Sequence, residues 1–255
     1  MPAAGDRAPA ASAAGGVFRP QPRLLLRQGA QRARLCAQDR PRRGSGAHRR
    51  VVSGDRCVVR ELQRLLTDGV FRARALRFVL GLPTPLESAD RKVLEQVIFG
   101  YFRALPGIRS VLFVGCDWYT RHYERTFFAA HNYWTLDPAA SARKFGARQH
   151  LVAPMEELGR HFPQGYFDVI FCNGVYGYGL DMPEQCERSF EQCHSRLRPE
   201  GYFVLGWDDI PRRRPVPLEE IRSLRKFRRH AFPVFGSCSY LTYTRYRHRF
   251  DFYQR

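Results

Sequence analysis

With 255 residues the chain is long enough for one good-sized domain with a substantial core. No apolar run approaches the ~20 residues needed to cross a bilayer, and nothing near the N-terminus has the apolar centre of a secretory signal, so the sequence reads as soluble and cytoplasmic, with no membrane partner. The formal net charge is +18, but residues 1–50 and 211–255 each carry +9 and the residues between them are neutral. Only Lys92, Lys144 and Lys226 of the 42 basic residues are lysine; with the abundant Ala, Gly and Pro, this points to a G+C-rich coding sequence and discounts the leader as a sign of nucleic-acid binding.

Residues 1–50 are rich in Ala, Arg, Gly and Pro with few large apolar groups, too few to offset ordering entropy, so a disordered leader is expected. Its many arginines and few acids also resemble an organellar transit peptide. Residues 51–105 read as N-terminal helices. In SADRKVLEQVIFGYFRALPG, Val93, Leu94, Val97, Ile98, Tyr101, Phe102 and Leu105 recur three and four apart, Ser88 is placed to cap the start, and Pro106-Gly107 ends the run.

From residue 106 short apolar runs alternate with helices. SVLFVG (110–115), NYWTLD (132–137), QHLVA (149–153), FDVIFCN (167–173) and YFVLGW (202–207) read as strands. Thr120 is placed to cap the helix after the first, Pro138 suits the first turn after the second, and Asp181 with Glu184 suits a capping box for a helix over about 183–197. Continuous apolar strands separated by helices mean a parallel sheet covered on both faces. The tail changes period: RYRHRFDFY (245–253) alternates strictly, as a half-exposed antiparallel strand does, and pairs in a C-terminal hairpin with a strand near 231–240.

The seven cysteines are odd in number, form no CxxC pair and sit mostly in apolar segments, as reduced core thiols do. Cys186, Cys193 and His194 share one expected helix at a spacing that matches no common zinc site, so no metal is expected.

In a doubly wound sheet the ligand sits outside the carboxyl ends of the strands, where strand order reverses. Gly115 closes the first strand and Asp137 the second, 22 residues later, a spacing that suits an acid accepting hydrogen bonds from ribose hydroxyls. Together VLFVGC, TLDP, APMEEL, FDVIFCNGVYGYGL and LRPEGYFVLGW resemble, in order and spacing, a class I S-adenosylmethionine-dependent methyltransferase, over about residues 88–255. The resemblance implies an α/β fold with a doubly wound, mostly parallel seven-stranded Rossmann-like sheet, an antiparallel C-terminal hairpin and N-terminal cap helices.

It further implies S-adenosylmethionine as cofactor, its methionine part beside Gly115 and Cys116, its ribose on Asp137, its adenine flanked by Met155 and Glu156, and Asn173 with Gly174 beside the sulfonium. Each residue also has a plainer reading: Asp137 as a helix cap, Met155 as a core filler, Asn173 as a turn former. Where the family has glycines this chain has Asp117 and Tyr119, and where it has an acid this chain has Phe113. Asp117 is placed to meet the cofactor's ammonium, whereas the Tyr119 ring must point away from the pocket or fill it.

Methyl transfer asks for an in-line donor and acceptor and, for a hydroxyl or ammonium acceptor, a base. His122 and Asp208 are the expected bases, and Tyr176, Tyr178 and Trp207 the expected lining for a small organic acceptor. Two alternatives stay open: an RNA methyltransferase using PRRRP (211–215), RKFRRH (225–230) and the arginine-studded last strand, and a non-catalytic scaffold that kept the fold.

Overall fold

The structure is a computed structural model that describes residues 86–255 together with Gly69, Ala73, Leu76, Arg77, Leu80 and Leu82. The leader expected over residues 1–50, and most of the helical stretch expected before Leu86, lie outside the described residues. Leu76–Arg255 form one compact unit. Among the described residues no helix is long and apolar enough to cross a membrane.

The amphipathic run forms α1 (Ala89–Lys92), a π-helical turn (Val93–Ile98) and α2 (Phe99–Ala104). Leu94, Ile98, Phe99 and Phe102 bury their side chains against the sheet. Ser88 is the N-cap residue, but its side chain makes no capping bond.

Five strands follow: β1 (Ser110–Val114), β2 (Asn132–Leu136), β3 (Gln149–Leu151), β4 (Phe167–Asn173) and β5 (Leu197–Asp208). All five pair in parallel, in the order β3-β2-β1-β4-β5. Helices α3 (Tyr123–Phe127), α4 (Leu158–His161) and α5 (Pro183–Arg196) lie in the connections. The capping box expected on α5 is absent: Met182 is the N-cap and Pro183, with φ fixed and no N–H to satisfy, opens the helix instead. Thr120 likewise does not cap α3; its hydroxyl donates to the Asp117 carbonyl (2.8 Å) and accepts from the Asp117 N–H (3.1 Å), closing the turn before the helix.

Three strands, two of them short, complete the sheet: β6 (Arg228–Arg229), β7 (Ser239–Leu241) and β8 (His248–Gln254). β8 lies antiparallel beside β5, and β6 and β7 both pair with its other edge, β6 near Gln254 and β7 near Phe250. Among the described residues eight strands thus fill seven positions, two short ones sharing the last. The expected hairpin is present as β7–β8, but β8 is an interior strand rather than a half-exposed one. Paired on both edges and covered on both faces, it buries His248, Phe250, Asp251, Phe252 and Tyr253.

Alternation along the strands divides the core in two. Leu112, Val114, Ile170, Cys172, Leu205 and Trp207 face Cys186, Phe190 and Cys193 of α5. Val111, Phe113, Val169, Phe171, Val204, Phe250 and Phe252 face α1–α2. Phe113, at the position where the resembled family has an acid, is therefore core, fully buried and edge-on to Phe99 and Tyr123.

Candidate active site

The chain runs from β1 outward through β2 to β3, then returns to β4 on the other side, so strand order reverses between β1 and β4. Gly115 leaves β1 with φ +90°, a conformation that side chains rarely adopt. A Cβ there would also lie 2.7 Å from Val175 Cγ2, so the loops after β1 and β4 meet at this glycine. The next N–H, that of Cys116, donates to Asp137 Oδ2 (2.9 Å), and Asp137 Oδ1 accepts from Ala139 N–H (2.9 Å). Asp137 thus braces the ends of β1 and β2 while capping the turn after it; the cap reading and the site reading describe the same carboxylate. Burial, helped by the Asp137 charge, pushes the Cys116 thiol up to about 12.

The two residues that replace glycines turn to local partners. Asp117 Oδ1 accepts from Trp118 N–H (2.7 Å). Tyr119 is drawn to the N-terminal helix: its hydroxyl accepts from Arg91 Nη2 (3.2 Å), and the guanidinium lies 4.3 Å from its ring centre. Buried Arg91 also donates to the Tyr123 hydroxyl (3.2 Å), which itself donates to Glu95 Oε1 (2.8 Å).

Across the reversal, buried side chains make the edge. Asn173 ends β4, Asp208 ends β5, and His248 opens β8 directly opposite Asp208 in the antiparallel register. His248 Nδ1 lies 2.7 Å from Asp208 Oδ1 and Nε2 lies 3.2 Å from Asn173 Oδ1. The Tyr178 hydroxyl donates to Asp208 Oδ2. Gly206 makes room for this chain, since a Cβ there would stand 1.9 Å from Asn173 Oδ1 and 3.0 Å from His248 Nε2. At Gly174, where φ is +68°, a Cβ would meet nothing within 4 Å.

Other expected site residues are placed differently. Tyr176 is fully buried, edge-on to Trp207, with its hydroxyl donated to the Val216 carbonyl, so it belongs to the core rather than to an acceptor pocket. Trp207 is on the opposite face of β5 from Asp208, its indole N–H donating to Asp251 Oδ2 (2.7 Å). It lines a cavity of about 400 Å³ with Arg214, Arg225, Arg229, Arg249 and Tyr253. Met155 is buried in the α5-side core, the plainer of its two readings, while half-buried Glu156 accepts from the Ser189 hydroxyl (3.2 Å). His122 is buried against Tyr123 and Phe127, its Nδ1 has no hydrogen-bond partner, and burial lowers its affinity for a proton. No hydrogen bond joins it to Asp208.

His248 is the site residue that the sequence did not single out. Its one signal was membership of the alternating tail, and alternation says which side a residue faces without saying which strand lies beside it.

A parallel sheet with order 3-2-1-4-5, an antiparallel strand inserted beside β5, and a glycine and an acid at the first two strand ends define a Rossmann-like nucleotide-cofactor fold. Residues 112–205 match the family model described as a methyltransferase domain. Among solved structures, the N-methyltransferase NodS from Bradyrhizobium japonicum aligns at 13% identity and TM-score 0.51, over 67% of this chain and 99% of its own. A SAM-dependent methyltransferase from Archaeoglobus fulgidus aligns at 18% identity and TM-score 0.41, over 66% and 74%. No curated protein sequence matches the chain. Over residues 112–205 the chain is thus similar to a methyltransferase domain, and it shares its Rossmann-like fold with NodS.

Proposed function

We propose that the chain transfers the methyl group of S-adenosylmethionine to a small organic acceptor. The observation that carries this reading is the convergence of Gly115, Asp137 and Asn173–Gly174 at the carboxyl edge, on the two sides of the strand-order reversal. The groups present fit the cofactor. Each Asp137 oxygen accepts one backbone N–H and keeps a second lone pair for a ribose hydroxyl. The space beside Gly174 is open.

The backbone of Gly115 and Cys116 would pass the methionine part, Asp137 would hold the ribose, Glu156 would border the adenine, and Asn173 with Gly174 would line the sulfonium side. Bound there, the cofactor supplies a methyl group already activated for transfer. What remains for the chain is to hold donor and acceptor in line and to remove a proton.

The arginines of the tail favour a small acceptor over RNA, because most are taken up within the domain. Arg225 donates to the Glu219 carbonyl, Lys226 pairs with Glu191, Arg228 with Glu200, and Arg229 with Tyr253 and Asp251. Arg249 makes a two-pronged pair with Asp209 (3.1 and 2.6 Å). The scaffold alternative loses its main motive because Tyr119 is engaged by Arg91. Calorimetric titration with S-adenosylmethionine and S-adenosylhomocysteine tests the reading, with heat expected from both. Silence with both ligands would end it, and retention on heparin with steeply salt-dependent RNA binding would move the acceptor to RNA.

A further inference from the structure

Resting on the methyltransferase reading, we propose that Tyr178 takes the proton released by a hydroxyl or amine methyl acceptor, and that Asp208, His248 and Asn173 form the chain that positions it. Of the four residues only Tyr178 is exposed, at 45%; the other three are buried. Asp208 was the expected base, yet it is buried, with Oδ1 on His248 and Oδ2 on Tyr178, so it reaches an acceptor through Tyr178, the exposed member of the set. The phenol is covered on one face by Arg213, whose guanidinium lies over the ring, 4.0 Å from its centre, and donates to the Gly177 carbonyl (3.1 Å). Because its own proton points at Asp208, the Tyr178 oxygen turns its lone pairs away from the carboxylate, ready to accept.

Two irregularities in the buried chain have one solution. As placed, both ring nitrogens of His248 face oxygens, which satisfies only a doubly protonated ring, while Asn173 Nδ2 is buried with no partner. Oxygen and nitrogen of an amide are assigned from their surroundings. Turning the Asn173 amide over uses the stranded donor and leaves a neutral imidazole: Asn173 Nδ2–H donates to Nε2, Nδ1–H donates to Asp208 Oδ1, and the Tyr178 hydroxyl donates to Oδ2. Every donor then runs toward Asp208, which stays an ionised carboxylate able to receive one proton. Burial first, and then the Asp208 hydrogen bond, raise the Tyr178 phenol above its usual range, so it rests as a phenol rather than a phenolate.

The step balances. The acceptor's lone pair forms the bond to the methyl carbon, and the carbon–sulfur bond breaks with its electron pair left on sulfur. The acceptor proton moves to Tyr178 Oη as the Tyr178 proton moves to Asp208 Oδ2. One positive charge is lost on sulfur and one negative charge on Asp208, with no oxidation or reduction.

The test has a readout that needs no turnover. Nitrogen-15 NMR of the histidine-labelled chain, with His248→Gln to assign the signal, is expected to show one neutral tautomer protonated at Nδ1 at neutral pH; a doubly protonated or Nε2-protonated ring would overturn the chain as described. For turnover, a panel of phenols, catechols and primary amines is offered with S-adenosylmethionine. Tyr178→Phe is expected to bind S-adenosylhomocysteine as the parent does and to lose about 100-fold or more in kcat. His248→Gln, which keeps a donor toward Asp208, is expected to retain more activity than His248→Leu. Tyr178→Phe within twofold of the parent, or no transfer to any panel member by a chain that binds the cofactor, overturns this proposal alone. Failure to bind S-adenosylhomocysteine overturns the methyltransferase reading and this proposal with it.

Discussion

On the β1–β2 side of the strand-order reversal the carboxyl edge is made of backbone and one carboxylate: a left-handed glycine, the Cys116 N–H and Asp137. On the β4–β5–β8 side it is made of side chains, Asn173, Asp208, His248 and Tyr178, bonded to one another and mostly buried. A backbone site depends on the path of the chain, so Asp117 and Tyr119 replace glycines there by turning to Trp118 N–H and Arg91. A side-chain site has no such latitude, because each group is another's partner and a stranded one costs about 1–3 kcal/mol.

The contrast is sharpest if each side is broken separately. Asp137→Ala is expected to weaken S-adenosylmethionine binding by about 100-fold, the equivalent of losing two hydrogen bonds to a charged group, and titration calorimetry reads it. On the other side, Gly206→Ala forces a methyl group to within 1.9 Å of Asn173 Oδ1. It is expected to destabilise the fold by about 1–3 kcal/mol in chemical denaturation; a neutral result would mean that the chain of buried groups is not tightly fitted.

A smaller effect concerns pH. The Cys116 thiol is pushed up to about 12 in the folded chain, chiefly by burial, and ionises near 8.5 when unfolded. Its contribution to stability is therefore complete below about 8.5 and is lost as pH rises toward 12, because the unfolded chain releases that proton first. Cys116→Ala should flatten this part of the alkaline decline, and native Cys116 should resist alkylation at pH values where a free thiol reacts. The smallest change in binding is expected from Tyr119→Gly. Restoring the glycine should leave cofactor affinity within about threefold while removing an Arg91–tyrosine contact of roughly 0.5–2 kcal/mol; a large gain in affinity would show that the ring obstructs the pocket.

The same contrast explains what the sequence made legible. Gly115 and Asp137 close consecutive parallel strands, so a fixed spacing and an apolar run were enough to find them. The sheet class followed from those runs. The family resemblance pointed to Asn173, and Asp208 was offered as a base just after the fifth expected strand, but their shared partner His248 enters through an antiparallel strand, and no spacing along the chain encodes which strand becomes its neighbour. Tyr176 and Tyr178 look equivalent in sequence, yet Gly177 at φ +78° reverses the chain between them and sends one into the core and the other outward. Met155 was drawn inward by the short turn that holds it, and Trp207 by the alternation of β5, which gives adjacent residues opposite faces.

The insertion of β8 between β5 and its short companions bears on how the molecule assembles. Asn173 and Asp208 acquire their common partner only when residue 248 arrives, 75 positions after the first of them. A growing chain that has not reached Phe250 and Phe252 presents β5 as an open edge with Val204 unclothed, the kind of surface that invites pairing with another molecule. The strand that completes the carboxyl edge is thus the one that shields the nascent domain from its neighbours.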